Sequence, residues 1–168
     1  MTSTSGTIRK AAITDLPRLT EIYNQAVLDR KCTCDIEPFT AEERRHWFDD
    51  HQSDRFPLWV YEAGGQVVGY VYISPYRSGR SAVRDVCEVS YYLDFACHGQ
   101  GIGSELVAHA IGEARQRGFK HMIAMLLSAN AASIALLKKF AFAGWGNMPD
   151  IADFGDITCS HLYYGRKL

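Results

Sequence analysis

Two features of this chain have residue types and spacing suited to chemistry: the run His98-Gly99-Gln100-Gly101-Ile102-Gly103-Ser104, and Glu88, which lies shortly before it. The run separates a strand-like segment, Val86 to Leu93, from a helix-like segment, Ser104 to Arg117. Glycine tolerates the positive φ that a tight turn requires, so closely spaced glycines let successive backbone N–H groups converge. A helix opening directly afterwards adds its own free N–H groups and its positive dipole end. Together these make a cradle for an anion such as phosphate or pyrophosphate. An ordinary tight turn is the other reading of the same residues. Two nucleotide patterns do not fit. A P-loop ends in Gly-Lys-Ser/Thr, whereas this run ends in Gly-Ser without lysine. A dinucleotide fingerprint needs an acidic residue closing the next strand, and Met122 to Leu127 is followed by serine.

In Cys87-Glu88-Val89-Ser90-Tyr91-Tyr92-Leu93, period-two alternation sets Glu88, Ser90 and Tyr92 on one face and Cys87, Val89, Tyr91 and Leu93 on the other. The apolar neighbours predict a central strand covered on both sides. A carboxylate there is costly to ionise unless paired, and its pKa rises towards neutrality, where it is a competent general base. A salt bridge to Arg77, Arg80 or Arg84 is the alternative.

These residues carry a family resemblance. Glu88-x-Ser90-x-Tyr92, a short turn, and Gln100-Gly101-x-Gly103-Ser104 opening a helix resemble the acetyl-CoA-binding core of the GNAT superfamily of N-acetyltransferases. His98 takes the first position of that core. Asn130-Ala131-Ala132-Ser133, followed by a helix ending at Ala141-Phe142, resembles the superfamily's second cofactor element, with Ala141 in place of the usual glycine. Within the superfamily the chain is most similar to the phosphinothricin and methionine sulfoximine acetyltransferase-like branch, through Ile22-Tyr23-Asn24, Glu37-Pro38-x-Thr40, Glu88-x-Ser90 and Trp145-Gly146-x-x-Pro149.

The resemblance implies a mixed α/β fold, a central β-sheet with helices on both faces, and acetyl-CoA as acetyl donor without a metal. It implies that His98, Gly99, Gln100, Gly101, Ile102, Gly103 and Ser104 hold the pyrophosphate. The backbone of Tyr91, Tyr92 and Leu93 would pair with the pantetheine arm, assisted by Asn130 and Ser133. For Asn130, capping of the following helix is an equal and compatible reading. Glu88 would accept the proton of an amine acceptor. Many members place a tyrosine one turn further along as an acid for the leaving thiol, and here that position is Leu137. The acceptor would be a small amino-acid analogue, contacted by Thr33, Phe39, Tyr76, Arg77 and Ser90, with the Arg77 fork on its carboxylate. The branch also implies a homodimer. The segment Trp145 to Phe154, apolar but interrupted by Gly, Pro and Asp, reads as an interface loop. A non-catalytic acyl-CoA sensor on the same fold would keep the glycine loop and dispense with the base, so the presence of Glu88 favours an enzyme.

The remaining residues must position these groups. With 168 residues the chain suits one domain with a substantial core, expected over residues 8–168 behind a frayed tail at 1–7. Eighteen basic against 19 acidic residues give no electrostatic reason to bind nucleic acid. No apolar run reaches membrane-spanning length, and the polar start lacks a signal-peptide core. Five cysteines without metal-ligand spacing suit reduced thiols in the cytoplasm. Ile8 to Ala12 reads as an edge strand, and Asp15 as the cap of a helix with Leu16, Leu19, Ile22, Tyr23 and Val27 on one face. Thr40 to Glu43 is a capping box for a helix carrying Trp47 and Phe48. Leu58 to Glu62 and Gln66 to Ser74 form a hairpin about Gly64-Gly65. Strand Met122 to Leu127, helix Ala131 to Phe140 and a strand near Cys159 to Tyr164 close the chain. The crossover after the glycine loop predicts a parallel strand pair.

Overall fold

The computed structural model describes residues 5–168. One seven-stranded mixed sheet, in the order β1-β2-β3-β4-β5-β7-β6, organises the chain. The strands are β1 (Thr7–Lys10), β2 (Leu58–Ala63), β3 (Gln66–Pro75), β4 (Val86–Leu93), β5 (His121–Leu127), β6 (Ala143–Asp153) and β7 (Thr158–Lys167). The helices are α1 (Leu16–Asp29), α2 (Arg45–Asp50), α3 (Ile102–Gln116) and α4 (Ala131–Lys139). Strand β1 begins at Thr7, so the expected tail is shorter than 1–7, and its residues 1–4 lie outside the described residues.

The faces divide by the alternation of β4. On one side α1 and α2 cover Leu58, Val60, Tyr70 and Tyr92 with Leu19, Ile22 and Phe48. On the other, α3 and α4 pack Leu106, Val107, Ala110 and Leu137 over Val89, Met122 and Leu126. Helix α1 starts at a proline in its first turn and ends where Arg30 turns left-handed at φ 58°. Asp15 precedes it but does not cap it. Its carboxylate turns back to accept from the Ala12 amide at 2.8 Å and from Arg9 at 2.8 Å, because a nearby guanidinium and a free loop amide compete for it. The two hydrogen bonds of the Thr40 box form, Thr40 N–H donating to Glu43 Oε2 at 2.7 Å and Glu43 N–H to Thr40 Oγ1 at 3.2 Å, but they close a turn ahead of α2, which begins only at Arg45 and has no side-chain cap. Gly118, at φ 79°, turns the chain out of α3.

Strand β4 is central, antiparallel to β3 and parallel to β5. Its pairing with β5 covers only Val86↔His121, Cys87↔Met122 and Glu88↔Ile123. Beyond that point β5 pairs with β7 alone, from His121↔Lys167 to Leu127↔His161, and β4 continues without a neighbour on that side. The sheet therefore splits into a V whose apex is Glu88. Five residues of β4, Val89 to Leu93, border the opening, a length of about 16 Å.

The segment read as a loop at Trp145 to Phe154 is a strand. Strand β6 forms an edge of the sheet and pairs with β7, with irregularities between Gly144 and Gly146 and between Met148 and Ala152. Gly144, Gly146, Pro149 and the left-handed Asp150 (φ 54°) break its period-two pattern, which disguised it. Trp145 lies over Gly165 of β7, where even a Cβ would come within 2.0 Å of the indole.

Candidate active site

The split between β4 and β5 opens into a cleft of about 290 Å³. Tyr91, Tyr92 and Leu93 form one wall and Ala124 to Leu126 of β5 the other. His98, Gly99, Gly101, Ile102, Gly103 and Ser104 sit at its mouth, and Asn130, Ser133 and Leu137 face it from α4.

The glycine loop has two kinds of glycine. Gly99 and Gly101 adopt φ 75° and 85°, the left-handed region. Gly103 does not. It lies in the first turn of α3, which begins at Ile102 and not at Ser104, and a Cβ there would meet Leu136 Cδ2 of α4 at 3.1 Å. The third glycine thus serves close helix packing rather than the turn. Ser104 and Glu105 both donate to the Gly101 carbonyl, leaving the amides ahead of them free of helical partners and at the cleft mouth. Gln100 turns away, its amide 3.5 Å from the Ala96 carbonyl, and does not line the cleft. Lys139 reaches back from the end of α4 to donate to Ser104 Oγ at 3.2 Å, which brings a cation beside the free amides. Sequence spacing gave no sign of Lys139, because only the packing of α4 on α3 brings it to the loop. Asn130 caps α4, its Oδ1 accepting from Ser133 N–H at 3.1 Å.

Glu88 stands at the apex of the V. None of the three arginines considered for it closes an ion pair with it among the described residues. Burial alone pushes its carboxyl up to about 7. Ser74 is its cross-strand partner. The Ser74 hydroxyl lies 2.9 Å from His51 Nε2, while His51 Nδ1 is 2.7 Å from the Trp47 carbonyl. A carbonyl only accepts, so Nδ1 carries the proton and Nε2 accepts from Ser74. Burial also lowers the His51 pKa, which keeps this ring neutral. The floor on this face is aromatic. Tyr92 meets Tyr23 edge-on at 5.0 Å, and the buried Arg44 guanidinium lies between Tyr23 and Trp47, at 4.1 and 3.8 Å from their centroids. Trp47 was read from the sequence only as a residue of this helix, and Arg44 and His51 were not singled out. Their only signal there is a helix that carries polar and aromatic residues on its sheet-facing side.

The residues expected around an acceptor are less gathered. Ser90 lines the cleft. Thr33 Oγ1 is 2.8 Å from the Tyr23 hydroxyl, which also donates to Asp35. Phe39 is tied to Asn24 by two hydrogen bonds of 2.8 and 2.9 Å. These contacts place the loop after α1 beside Tyr23; its Cys32 lines the cleft, whereas Thr33 and Phe39 do not. Tyr76 and Arg77 are exposed just beyond the end of β3, past the Ser74–Glu88 pair, and do not touch the cleft.

A split parallel pair with a glycine loop leading into a helix is the arrangement of an acyl-coenzyme A cleft, and residues 19–142 match the acetyltransferase (GNAT) family. This chain belongs to the GNAT family of acetyltransferases. It is 34% identical over 163 residues, 94% of each chain, to the L-methionine sulfoximine/L-methionine sulfone acetyltransferase of Pseudomonas aeruginosa. It is 32% identical over 164 residues, 95% of each chain, to an L-amino acid N-acyltransferase of Escherichia coli. A GNAT phosphinothricin acetyltransferase from Sinorhizobium meliloti, solved in complex with acetyl-CoA, superposes with a TM-score of 0.91 at 32% identity, covering 97% of this chain and 88% of that one. Among the described residues no helix is long and apolar enough to cross a membrane, and no cluster of three metal-ligating side chains occurs.

The raised pKa of Glu88 links charge to folding. Its folded value lies above its unfolded value, so its contribution to stability is complete below the ordinary glutamate range and is lost as pH rises through 7. Glu88→Gln removes the charge at the same shape. Urea denaturation at pH 8 should find the variant more stable than the parent by up to roughly 3 kcal/mol. The gap should close by about pH 4.5, and an equal gap at both pH values would show that ionisation is not its source.

Proposed function

We propose that this GNAT enzyme transfers the acetyl group of acetyl-CoA to the primary amine of a small amino acid of the methionine sulfoximine or phosphinothricin type, with Glu88 as general base. The observation that carries the reading is Glu88 itself: a carboxyl without an ion pair, held near neutral pKa by burial, at the apex of the cleft. A sensor that only binds acyl-CoA has no use for such a group.

Each residue then has a defined task. The free amides of Gly101 to Gly103, with Lys139 beside them, hold the pyrophosphate, a fit supported by the left-handed glycines and the helix start. The open edge of β4 from Val89 to Leu93 offers its backbone to the amides of the pantetheine arm, as an added strand would. A β4 N–H facing the thioester carbonyl stabilises the oxyanion that forms on attack. Glu88 takes a proton from the substrate ammonium and frees the lone pair that attacks the thioester carbon directly. Ser90 and the loop bearing Thr33 and Phe39 shape the acceptor side. Arg77, exposed beyond the end of β3 and outside the cleft wall, would meet the carboxylate of the amino acid with its guanidinium fork. The named substrates of the two curated relatives, methionine sulfoximine and L-amino acids, all present an amine beside a carboxylate.

The protein also acts as a homodimer through β6. Trp145, Met148 and Ile151 are exposed on a long edge strand, and Ile157 on the turn that follows it. An unpaired apolar edge invites further strand pairing unless something covers it, and a second copy of this chain does so.

Release of free thiol from acetyl-CoA in the presence of methionine sulfoximine tests the reaction directly, and no release with any α-amino acid would refute it. Glu88→Gln should lower kcat about 10²- to 10⁴-fold. For the parent enzyme kcat/KM should rise with pH and level off above about 7, since the base must be ionised. Gly101→Val forces a β-branched residue into the left-handed region, at a cost of about 1–3 kcal/mol. Calorimetry should then show acetyl-CoA binding weakened by roughly 5- to 150-fold, the equivalent of that cost. Trp145→Asp should convert a dimer to monomer by light scattering and raise the KM for the amine, and a monomeric parent protein at micromolar concentration would exclude the dimer.

A further inference from the structure

The position at which many GNAT enzymes place a thiol-directed tyrosine is Leu137, which is 1% exposed and packed in the α3–α4 face of the core. It offers no proton. The same cleft nevertheless contains a phenol with nothing to do. The Tyr91 hydroxyl is buried and has no hydrogen-bond partner among the described residues. Ser133, at the start of α4, approaches it without completing a hydrogen bond. Tyr91, Ser133 and Leu137 all line the cleft.

An orphaned buried hydroxyl is unusual, because leaving a donor unsatisfied forfeits its hydration without return. The two other buried orphans among the described residues, Trp47 Nε1 and His109 Nε2, do not line this cleft. Tyr91 also stands at a variable position of the Glu88-x-Ser90-x-Tyr92 pattern, so the family motif does not account for it. Its neighbour Tyr92 points to the opposite face and is used up in packing against Tyr23 and Tyr70. Tyr91 is on the α3–α4 side, on the stretch of β4 left unpaired by β5.

We propose that the Tyr91 hydroxyl is a catalytic residue of this enzyme, donating a hydrogen bond to the coenzyme A sulfur as it leaves and so taking over the task that Leu137 cannot perform. The inference rests on the acetyl-transfer reading above. The amine nitrogen, having lost one proton to Glu88, bonds to the thioester carbon. As the adduct collapses the C–S bond breaks and its electron pair passes to sulfur, while the nitrogen gives its second proton to solvent water and becomes an amide. Tyr91 meets the charge that develops on sulfur. Burial pushes the Tyr91 hydroxyl up to about 12, well above a thiol at about 8.5, so it keeps its proton and acts as a hydrogen-bond donor to a thiolate. The thiolate is protonated by water once released. Donation to an ionised acceptor is the stronger class of hydrogen bond.

Tyr91→Phe keeps the ring and removes the hydroxyl. The expected result is a kcat lower by roughly 10- to 100-fold with the KM for acetyl-CoA within about twofold. A second measurement does not depend on turnover. Calorimetry compares binding of CoA and its desulfo analogue, in which hydrogen replaces the thiol. In the parent protein the preference for CoA should grow several-fold between pH 7 and 9, because a hydrogen bond to the thiolate lowers the pKa of the bound thiol. Tyr91→Phe should remove that growth. Its Tm without ligand should be unchanged or higher, since an unsatisfied donor has been deleted. Turnover within twofold of the parent, an unaltered pH dependence of the CoA preference, or a lower Tm revealing a structural partner would each overturn the assignment. Failure of the parent protein to bind CoA would instead overturn the acetyl-transfer reading on which it rests.

Discussion

The functional site depends on one interruption in backbone pairing: β4 and β5 stay together for three residue pairs and then part. A buried strand edge without partners is costly, since each backbone N–H and C=O gives up water. The cost is contained because both strands are secured elsewhere. Strand β4 is paired with β3 along seven positions, from Gly69↔Leu93 to Pro75↔Cys87, and β5 with β7 along its whole length. Helices α3 and α4 then lock the separation from above. Leu136 fits against the bare backbone of Gly103, and Leu137 packs between the strands and the helices. The result is a slot with the unpaired backbone of β4 along one wall.

The two faces of β4 divide the chemistry. Side chains of alternate residues point to opposite layers, so Glu88 and Ser90 face the α1–α2 side and Tyr91 faces the α3–α4 side. The buried carboxyl and the buried phenol are thereby kept on opposite sides of one strand. On the Glu88 side the neutral His51 accepts from the Ser74 hydroxyl across the strand pair, and burial is what favours the protonated form of the Glu88 carboxyl. The aromatic floor, with Arg44 clasped between Tyr23 and Trp47, makes this side stiff and poor in water.

Much of this arrangement could be read directly from the residues. The order of strands and helices as far as α4 and the hairpin at Gly64-Gly65 appear as expected, because each element is set by neighbours within a few positions, and the parallel pair follows the crossover through α3. Errors fell where long-range partners decide. Asp15 has the side chain of a helix cap but is claimed by Arg9 and Ala12. Strand β6 lacks alternation because it lies at an edge, where one face is never buried and bulges are tolerated. Gly103 looks like part of a turn yet serves a contact with a helix more than thirty positions away in sequence, visible only after folding.

The sequence by itself determined what depends on local backbone geometry and residue chemistry. A left-handed glycine loop leading into a helix, a carboxylate on a central strand and the absence of a phenol at Leu137 are all written in consecutive residues. Only the tertiary structure decided the environment of those groups. Among the described residues, the parting of β4 from β5, the lack of an ion pair for Glu88, the reach of Lys139 to Ser104 and the unpartnered hydroxyl of Tyr91 each follow from which distant segments are brought together. Burial and pairing are sums over such neighbours, and a pKa or an orphaned donor is the physical outcome of that sum.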